Sequence, residues 1–275
     1  YGQTNTIGTV TGGVTITATQ WATLLARITS AANHQGTSIT AITSPTAGDT
    51  ISAYAALATN VAAIQGNNNA AASGSDSTAA TTTTTAWVNT ATTTKTITFA
   101  SANQLRYFFN AGGMIRMSFS RSGGTANDQN TSWTNLLTAC GTIVLTGAGS
   151  PGPNKTIAGT SYTGTTKIGG SGTADTLAES IGAYNLTGSN QTLFKQFATT
   201  YTYTANFAQI QASISGNVIT FTVTLADVSG PNVPGGLDSI DGTLTMTTTI
   251  RQPSTTYIAS TWGSVTQNAA SWTLT

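Results

Sequence analysis

The chain has 275 residues and a formal net charge of +1; only 6% of its residues are charged, and 60 are threonine. An ordinary globular domain has about 25% charged residues, so this chain has unusually few. Because nucleic-acid binding depends on Lys and Arg that neutralise phosphates, we expect no nucleic-acid partner. The single cysteine cannot form an intrachain disulfide, and no apolar run approaches the ~18 residues of a membrane-spanning helix, so we expect no membrane span.

The threonine bias indicates a β-rich protein that works outside the cell. Threonine is β-branched and suits a pleated surface, and its hydroxyl keeps the solvent face hydrated without charge. Because ion pairs are few, stability should depend weakly on pH and salt, which is typical of an extracellular or virion-surface protein rather than a cytosolic enzyme. The chain begins with Tyr1 instead of Met, so we expect a leader or further N-terminal segment before it.

Two amphipathic helices are predicted in the first part of the chain, after a short arm. Thr17 or Thr19 provides an N-cap for the first helix, and Gly36 lies beyond its end. Helices of about 15 residues are marginal on their own, so their apolar stripes need a partner, either within the chain or on a second copy. The stripes are Trp21, Leu24, Leu25 and Ile28 in the first helix, and Ile51, Tyr54, Leu57, Val61 and Ile64 in the second.

We predict that the first helix and the stripe from Tyr54 onward carry the subunit contacts of a homo-oligomer, because exposed apolar stripes of this size mark interfaces.

Residues 67–85 follow, with runs of asparagine and alanine and then five consecutive threonines. Nothing in this segment is large enough to bury, which predicts a linker or exposed loop. It divides an N-terminal arm and helical hairpin, residues 1–66, from an antiparallel β-rich domain with short helices, residues 86–275.

The β-rich part begins with mixed elements. Ser101 is predicted to cap a helix over residues 102–110, which Gly112-Gly113 ends. The next segment, residues 114–121, is predicted as a strand with Ile115, Met117 and Phe119 on one face. A further helix is predicted to begin at Asn127-Asp128 and to carry Trp133 inward.

The last hundred residues are predicted to be mostly β. Strands over 207–215 and 218–227 flank Gly216-Asn217, a two-residue hairpin signal. Threonine and tyrosine alternate over 199–204, which favours another strand, and a strand is predicted over 243–251. The fold class that follows is α+β and mainly β: an antiparallel β-sandwich-like domain with a small N-terminal helical region.

Motifs that suggest chemistry have weak support. Residues 147–152 match the dinucleotide-binding glycine pattern, but Pro151 prevents the helix that the phosphate site requires, so we predict a turn. His34 and Asp49 allow a serine triad only in principle, because no nucleophile elbow accompanies them. A single histidine and a single glutamate leave little material for acid–base or metal chemistry, so we expect no enzymatic activity, no cofactor and no metal site.

Three alternatives remain at this stage. Asp175 and Glu179, four residues apart, would share a helix face and offer the paired carboxylates of a glycosidase. Asp238 and Asp241 are a faint match to a calcium loop. Exposed aromatic rings stack on sugars, and core or interface packing is their other role; the candidates are Tyr201, Tyr203, Trp262 and Trp272.

Three blocks of the first half resemble a known family. They are residues 19–37, which begin Thr-Gln-Trp and end Asn-His-Gln-Gly-Thr; residues 106–116, Arg-Tyr-Phe-Phe-Asn-Ala-Gly-Gly-Met-Ile-Arg; and residues 129–137, Gln-Asn-Thr-Ser-Trp-Thr-Asn-Leu-Leu. Together they resemble virion structural proteins, often labelled tail-fibre-like, of tailed phages, especially contractile-tailed phages of cyanobacteria and other aquatic bacteria. The second half is similar mainly in style, with a hairpin followed by Asp-Gly-Thr-Leu-Thr at 241–245.

The resemblance implies a virion-surface or extracellular location, no enzymatic activity, and assembly with other virion proteins as a homo-oligomer, with a trimer favoured. It supplies no catalytic residues. The leading hypothesis is therefore a non-enzymatic virion structural protein of fibre, appendage or decoration type. The alternatives are a carbohydrate-binding adhesin or receptor-binding module that recognises a host-surface glycan, and a polysaccharide depolymerase.

Overall fold

A computed structural model describes residues 9, 11–49, 54–68, 70–149, 155–229, 239–256 and 262–275. The described residues form a mainly β, α+β fold, as predicted, and none of their helices is long and apolar enough to cross a membrane. The α-helices are α1 (Ala18–Gln35), α2 (Tyr54–Gly66), α3 (Ala102–Asn110) and α4 (Asp128–Cys140).

Most of the remaining chain is in strands. In chain order they are β1 (Ala70–Ala71), β2 (Ser73–Thr83), β3 (Thr90–Phe99), β4 (Met114–Ser122), β5 (Thr142–Leu145), β6 (Lys155–Ile157), β7 (Thr160–Tyr162), β8 (Thr165–Ile168), β9 (Thr176–Leu177), β10 (Gln191–Phe197), β11 (Phe207–Ser215), β12 (Val218–Ala226), β13 (Thr243–Pro253), β14 (Val265–Gln267) and β15 (Trp272–Leu274). One 3₁₀ turn, Ala183–Asn185, lies between β9 and β10.

Two antiparallel sheets face each other across one apolar core. One sheet has the order β2-β13-β4-β5-β8, and the other has the order β14-β3-β12-β11-β10-β9, with β15 also paired to β3. The core joins side chains of both sheets, such as Met117 and Met246 from one and Ile97 and Phe221 from the other. Helix α4 packs on β4 and also contacts β10 and β11, so it fills the space between the sheets at that side.

Threonines cover much of the outer faces of both sheets because long strands such as β3, β12 and β13 alternate between inward and outward side chains. In β3, residues at odd positions such as Ile97 and Phe99 are buried, while the threonines between them are half-buried or exposed. The cross-strand partner of Thr94 is Thr222, and that of Thr245 is Thr82. Threonine therefore has the role predicted for it: it forms a hydrated sheet surface without charge.

Several local signals predicted their elements correctly. Thr17 and Gln20 form a capping box at the start of α1, and Gly36 ends that helix in the left-handed conformation with φ 70°. Ser101 caps α3 by accepting a hydrogen bond from the Gln104 N–H. The hairpin at Gly216 joins β11 to β12, with Ser215 opposite Val218. In each case a short-range residue pattern specifies the backbone conformation.

The segment predicted as a linker or loop over residues 67–85 is largely a strand, and this prediction was wrong. Strand β2 pairs along β13 from Thr83 opposite Leu244 to Ser77 opposite Ile250. Its stabilisation comes from the backbone ladder and from cross-strand hydroxyl pairs, such as Thr78 with Thr249 at 3.0 Å. Neither contribution needs a large side chain, so low complexity did not exclude a strand, and the sandwich begins before residue 86.

The strand predicted over residues 199–204 is also absent: this segment forms turns between β10 and β11. Tyr201 adopts φ 57°, a left-handed conformation that is incompatible with a regular strand. Asn206 stabilises the following corner, because its side-chain carbonyl accepts hydrogen bonds from the N–H groups of Val228 and Ser229, both at 2.8 Å. The alternation of Thr and Tyr therefore did not reflect a pleated backbone.

The C-terminal strands close one side of the sandwich. Both β14 and β15 pair with β3, at its two ends. From this edge the Trp272 indole N–H donates to the Thr81 carbonyl at 3.0 Å, and the Gln267 amide donates to the Ser77 carbonyl at 3.4 Å. These donors occupy carbonyl groups of edge strand β2, which protects that edge from pairing with other strands.

Candidate functional site

The residues that suggested catalysis are not assembled into a catalytic group. His34 is buried at the end of α1, while Asp49 accepts hydrogen bonds from the Thr46 N–H at 2.8 Å and hydroxyl at 2.7 Å. A shared helix face for Asp175 and Glu179 was predicted, and this prediction was wrong. The segment instead forms β9 and turns. Among the residues with described positions, no three His, Cys, Asp or Glu side chains are grouped as a metal would require.

Of the two aspartates considered for a calcium site, Asp238 lies outside the described residues. Asp241 is described, and hydrogen-bond donors of the protein surround it. Its carboxylate accepts from the Thr125 hydroxyl at 2.7 Å, from the Thr125 N–H at 3.0 Å, from the Asn130 amide, and from Arg121 at 3.3 Å. The Thr125 hydrogen bonds are the main reason that the pKa of Asp241 is lowered. This carboxylate fastens the loop after β4 to the start of β13.

The aromatic residues named from sequence have different positions. Tyr203 and Trp262 are buried in the chain and Trp272 is half-buried, which fits the packing role, whereas Tyr201 is 51% exposed. The glycine pattern at 147–152 is described only as far as Gly149. A Cβ at Gly149 would collide with the Ser180 carbonyl, so this glycine permits a close approach of two backbones.

The N-terminal helices contact each other, and α1 also contacts β1 of the small sheet β1-β6-β7. The two described core clusters contain no residue of α1 or α2. Of the predicted interface residues, Trp21 and Leu25 are buried within the chain; Leu24, Ile28, Leu57 and Ile64 are half-buried, and Tyr54 and Val61 are exposed. Ile51 lies outside the described residues.

The inward face of α2 is fixed by an amide instead of an apolar side chain. Asn60 is buried, accepts a hydrogen bond from the Thr40 N–H at 2.9 Å and donates to the Thr40 carbonyl at 2.8 Å. The opposite face is apolar and uncovered: Tyr54 is 75% exposed and Val61 36%. We call this the α2 outer face; it comprises Tyr54, Ala58, Val61, Ala62 and Gln65, all exposed.

The α2 outer face has no charged residue, and neither has the rest of the helix. Its members recur at the three- and four-residue spacing that places side chains on one side of a helix. A helix with apolar residues on every side is normally buried. This face therefore has the composition of an interface, and its alanines allow close approach of another backbone.

A second feature is an open cleft of about 350 Å³ beside α3, which we call the α3 cleft. One wall is α3 itself, where Arg106 and Asn110 lie four residues apart on the outward side. The other wall is the 3₁₀ turn with Tyr184. The apolar part of the lining includes Leu105, Leu186 and Ile214.

Tyr184 is held firmly in this cleft. Its single hydroxyl hydrogen is shared between two acceptors, the Asn110 side-chain oxygen at 2.9 Å and the Arg106 carbonyl at 3.1 Å. Its backbone N–H donates to the Gly147 carbonyl at 2.9 Å. A Cβ at Gly147 would lie only 2.9 Å from the Tyr184 ring, so glycine is needed here to admit the ring. The ring is 41% exposed, and its position is set before any ligand arrives.

The α3 cleft has a positive environment. Arg106 is exposed, and Lys155 lies behind Asn110, where its ammonium donates to the Asn110 carbonyl at 2.6 Å. Burial lowers the pKa of Lys155 to about 8. No carboxylate is among the described residues that line the cleft.

Sequence reasoning missed the α3 cleft. From the sequence, Arg106 stands out only within the family resemblance, Asn110 only there and as the end of the predicted helix, and Tyr184 not at all. The i, i+4 spacing of Arg106 and Asn110 on the outward side of a predicted helix was the available signal. No protein-family model matches the chain, and no curated protein and no solved structure matches it either. The resemblance to phage virion proteins therefore stays a prediction.

Proposed function

We propose that this chain is a non-enzymatic structural protein of a tailed phage particle, of fibre, appendage or decoration type. It assembles outside the cell as a homo-oligomer, for which the family resemblance favours a trimer, and it joins other virion proteins. The single observation that carries the assembly is the α2 outer face. This helix face is uncharged and exposes Tyr54 and Val61 to solvent, which is unfavourable for apolar side chains. Packing against the same helix of a second copy would bury them.

Two further features support this role. The outer faces of both sheets are covered with hydroxyls, and the described residues contain only two salt bridges. Such a surface keeps its character over a wide range of salt and pH, as a particle exposed to the environment requires. The helices also lie apart from the sandwich core clusters, so an assembly that uses α2 leaves the β-sandwich free for display.

The test of assembly is a charge placed on the α2 outer face of the full chain. We expect Val61→Glu to convert the oligomer into a monomer of 27.9 kDa, measured by light scattering after size-exclusion chromatography, because a carboxylate buried without a partner is strongly unfavourable. Thr59→Glu is the matched control: it adds the same charge to the same helix, at an exposed position beside the face. Its oligomer should persist.

Two results would contradict the assembly proposal. One is a native chain that is monomeric at micromolar concentration. The other is an oligomer that survives Val61→Glu, which would place the interface elsewhere. The location has its own test, immunogold labelling of intact virions from a phage that encodes the chain: label on the particle supports the proposal, and its absence from disrupted as well as intact particles refutes it.

A further inference from the structure

We propose that the α3 cleft binds a carboxylated sugar, a hexuronic acid residue of an acidic glycan. The site uses no residue of α1 or α2, so it is separate from the assembly surface. This proposal rests on the proposed extracellular role in one respect only, the glycan from which the sugar would come. Three features of the cleft favour this ligand: a guanidinium with no partner among the described residues, a fixed aromatic ring with an aliphatic lining, and the size of the cleft.

The guanidinium is that of Arg106. Its side chain makes no hydrogen bond or ion pair with any described residue, and it is exposed in the cleft. Several other cationic side chains have partners, although Arg27 Nε has none among the described residues: Arg251 pairs with Asp76 at 2.6 Å, and Lys195 lies over the Phe197 and Phe207 rings. In a chain with nine Lys and Arg, Arg106 is thus available for a ligand, and its planar fork fits a carboxylate with two parallel hydrogen bonds.

The ring of Tyr184 and the aliphatic side chains supply the second part. A sugar presents C–H groups on its faces, which pack against an aromatic ring and against side chains such as Leu186 and Ile214. The two acceptors of the Tyr184 hydroxyl belong to the protein, so binding does not need to order this ring. The Asn110 oxygen is used by Tyr184, which leaves the Asn110 NH₂ to donate to a sugar hydroxyl.

Size and charge limit the ligand further. A cleft of about 350 Å³ is at the lower end of the ~300–1,000 Å³ range of small-molecule sites, which suits a single sugar residue at a time. With Arg106 in the cleft, Lys155 behind it and no carboxylate in its described lining, a neutral sugar would leave the guanidinium without a counter-charge. A hexuronate provides that charge and the C–H faces together.

The experiment is a saturation-transfer NMR titration of the full chain with sodium D-glucuronate. We expect saturable binding in the millimolar range and at least ~10-fold weaker binding of the neutral methyl ester. Arg106→Gln should weaken glucuronate binding by a similar factor, as should Tyr184→Ala. Two controls should stay within about twofold: Lys195→Ala, which removes a positive charge elsewhere, and Tyr107→Ala, which removes an exposed ring beside Arg106 that does not line the cleft.

Several results would overturn the proposal. They are no saturable binding of glucuronate, equal binding of the methyl ester, or unchanged affinity in Arg106→Gln. Inorganic phosphate is a further arm, because displacement of glucuronate by an equal concentration of phosphate would mean a general anion site. The methyl-ester comparison uses the unaltered protein, so it does not depend on the folding of any variant. Binding is measured whatever the oligomeric state, so failure of assembly and failure of this site are distinguishable.

Discussion

Phe108 should contribute more to stability than any exposed residue of α3, and Phe108→Ala tests this. The side chain is fully buried, and its ring makes edge contacts with Phe99 at 5.2 Å, Phe109 at 5.0 Å and Trp262 at 5.9 Å between ring centroids. Removing a buried phenylalanine costs about 3–5 kcal/mol. With three aromatic partners, we expect a loss of about 4 kcal/mol, at the middle of this range.

The assay is urea unfolding followed by tryptophan fluorescence, with a thermal scan as a second measurement. A loss of about 4 kcal/mol corresponds to a fall in Tm of roughly 8–16 °C for a chain of this size, with an unchanged urea m-value. Tyr107→Ala is the matched control, since Tyr107 precedes Phe108 and is 39% exposed; it should change stability by about 0.5 kcal/mol or less. A loss below about 1 kcal/mol in Phe108→Ala would refute the reasoning.

Two further outcomes are expected. Burial is the largest cause that lowers the pKa of His34 from 6.5 to about 4, and the charge of Lys155 contributes least; the stabilisation from neutral His34 is therefore present above pH 6.5 and lost as the pH falls towards 4. Protection factors of the α1 amides, which are corrected for the intrinsic pH dependence of exchange, should fall over that interval in the native chain, and an equal fall in His34→Gln would exclude His34 as its cause. A chelator should leave Tm unchanged, because protein donors bind Asp241; a fall of several degrees on adding EDTA would revive a calcium site.

The elements that sequence reasoning predicted well are those fixed by near neighbours. The start of α1 needs only Thr17 and Gln20, and the hairpin after β11 needs only Gly216 and Asn217. The spacing of apolar side chains likewise revealed which face of β4 is buried. In these cases the physical cause lies within one or two turns of chain, so the residues in sequence already contain it.

Strand β2 and the α3 cleft were missed because their causes are distant in sequence. Strand β2 is held by β13, about 170 residues away, and its own side chains are too small to show a buried face. In the cleft, Tyr184 reaches back to Arg106 and Asn110, more than 70 residues earlier. Tyr184 belongs to no recognisable motif, and the glycine pattern at 147–152 does not point to Tyr184; only the fold shows why Gly147 is needed beside that ring.

The threonine-rich composition also explains why the two proposed sites are conspicuous. Hydroxyl-covered sheet faces are hydrated, nearly uncharged and offer little to drive specific association. Among the described residues, two surfaces of different character are the α2 outer face, which is apolar, and the α3 cleft, which combines a cation with a ring. They belong to different elements and share no residue, so Val61→Glu should leave glucuronate binding unchanged and Arg106→Gln should leave the oligomer intact. Coupled effects of these variants would mean that one surface serves both purposes.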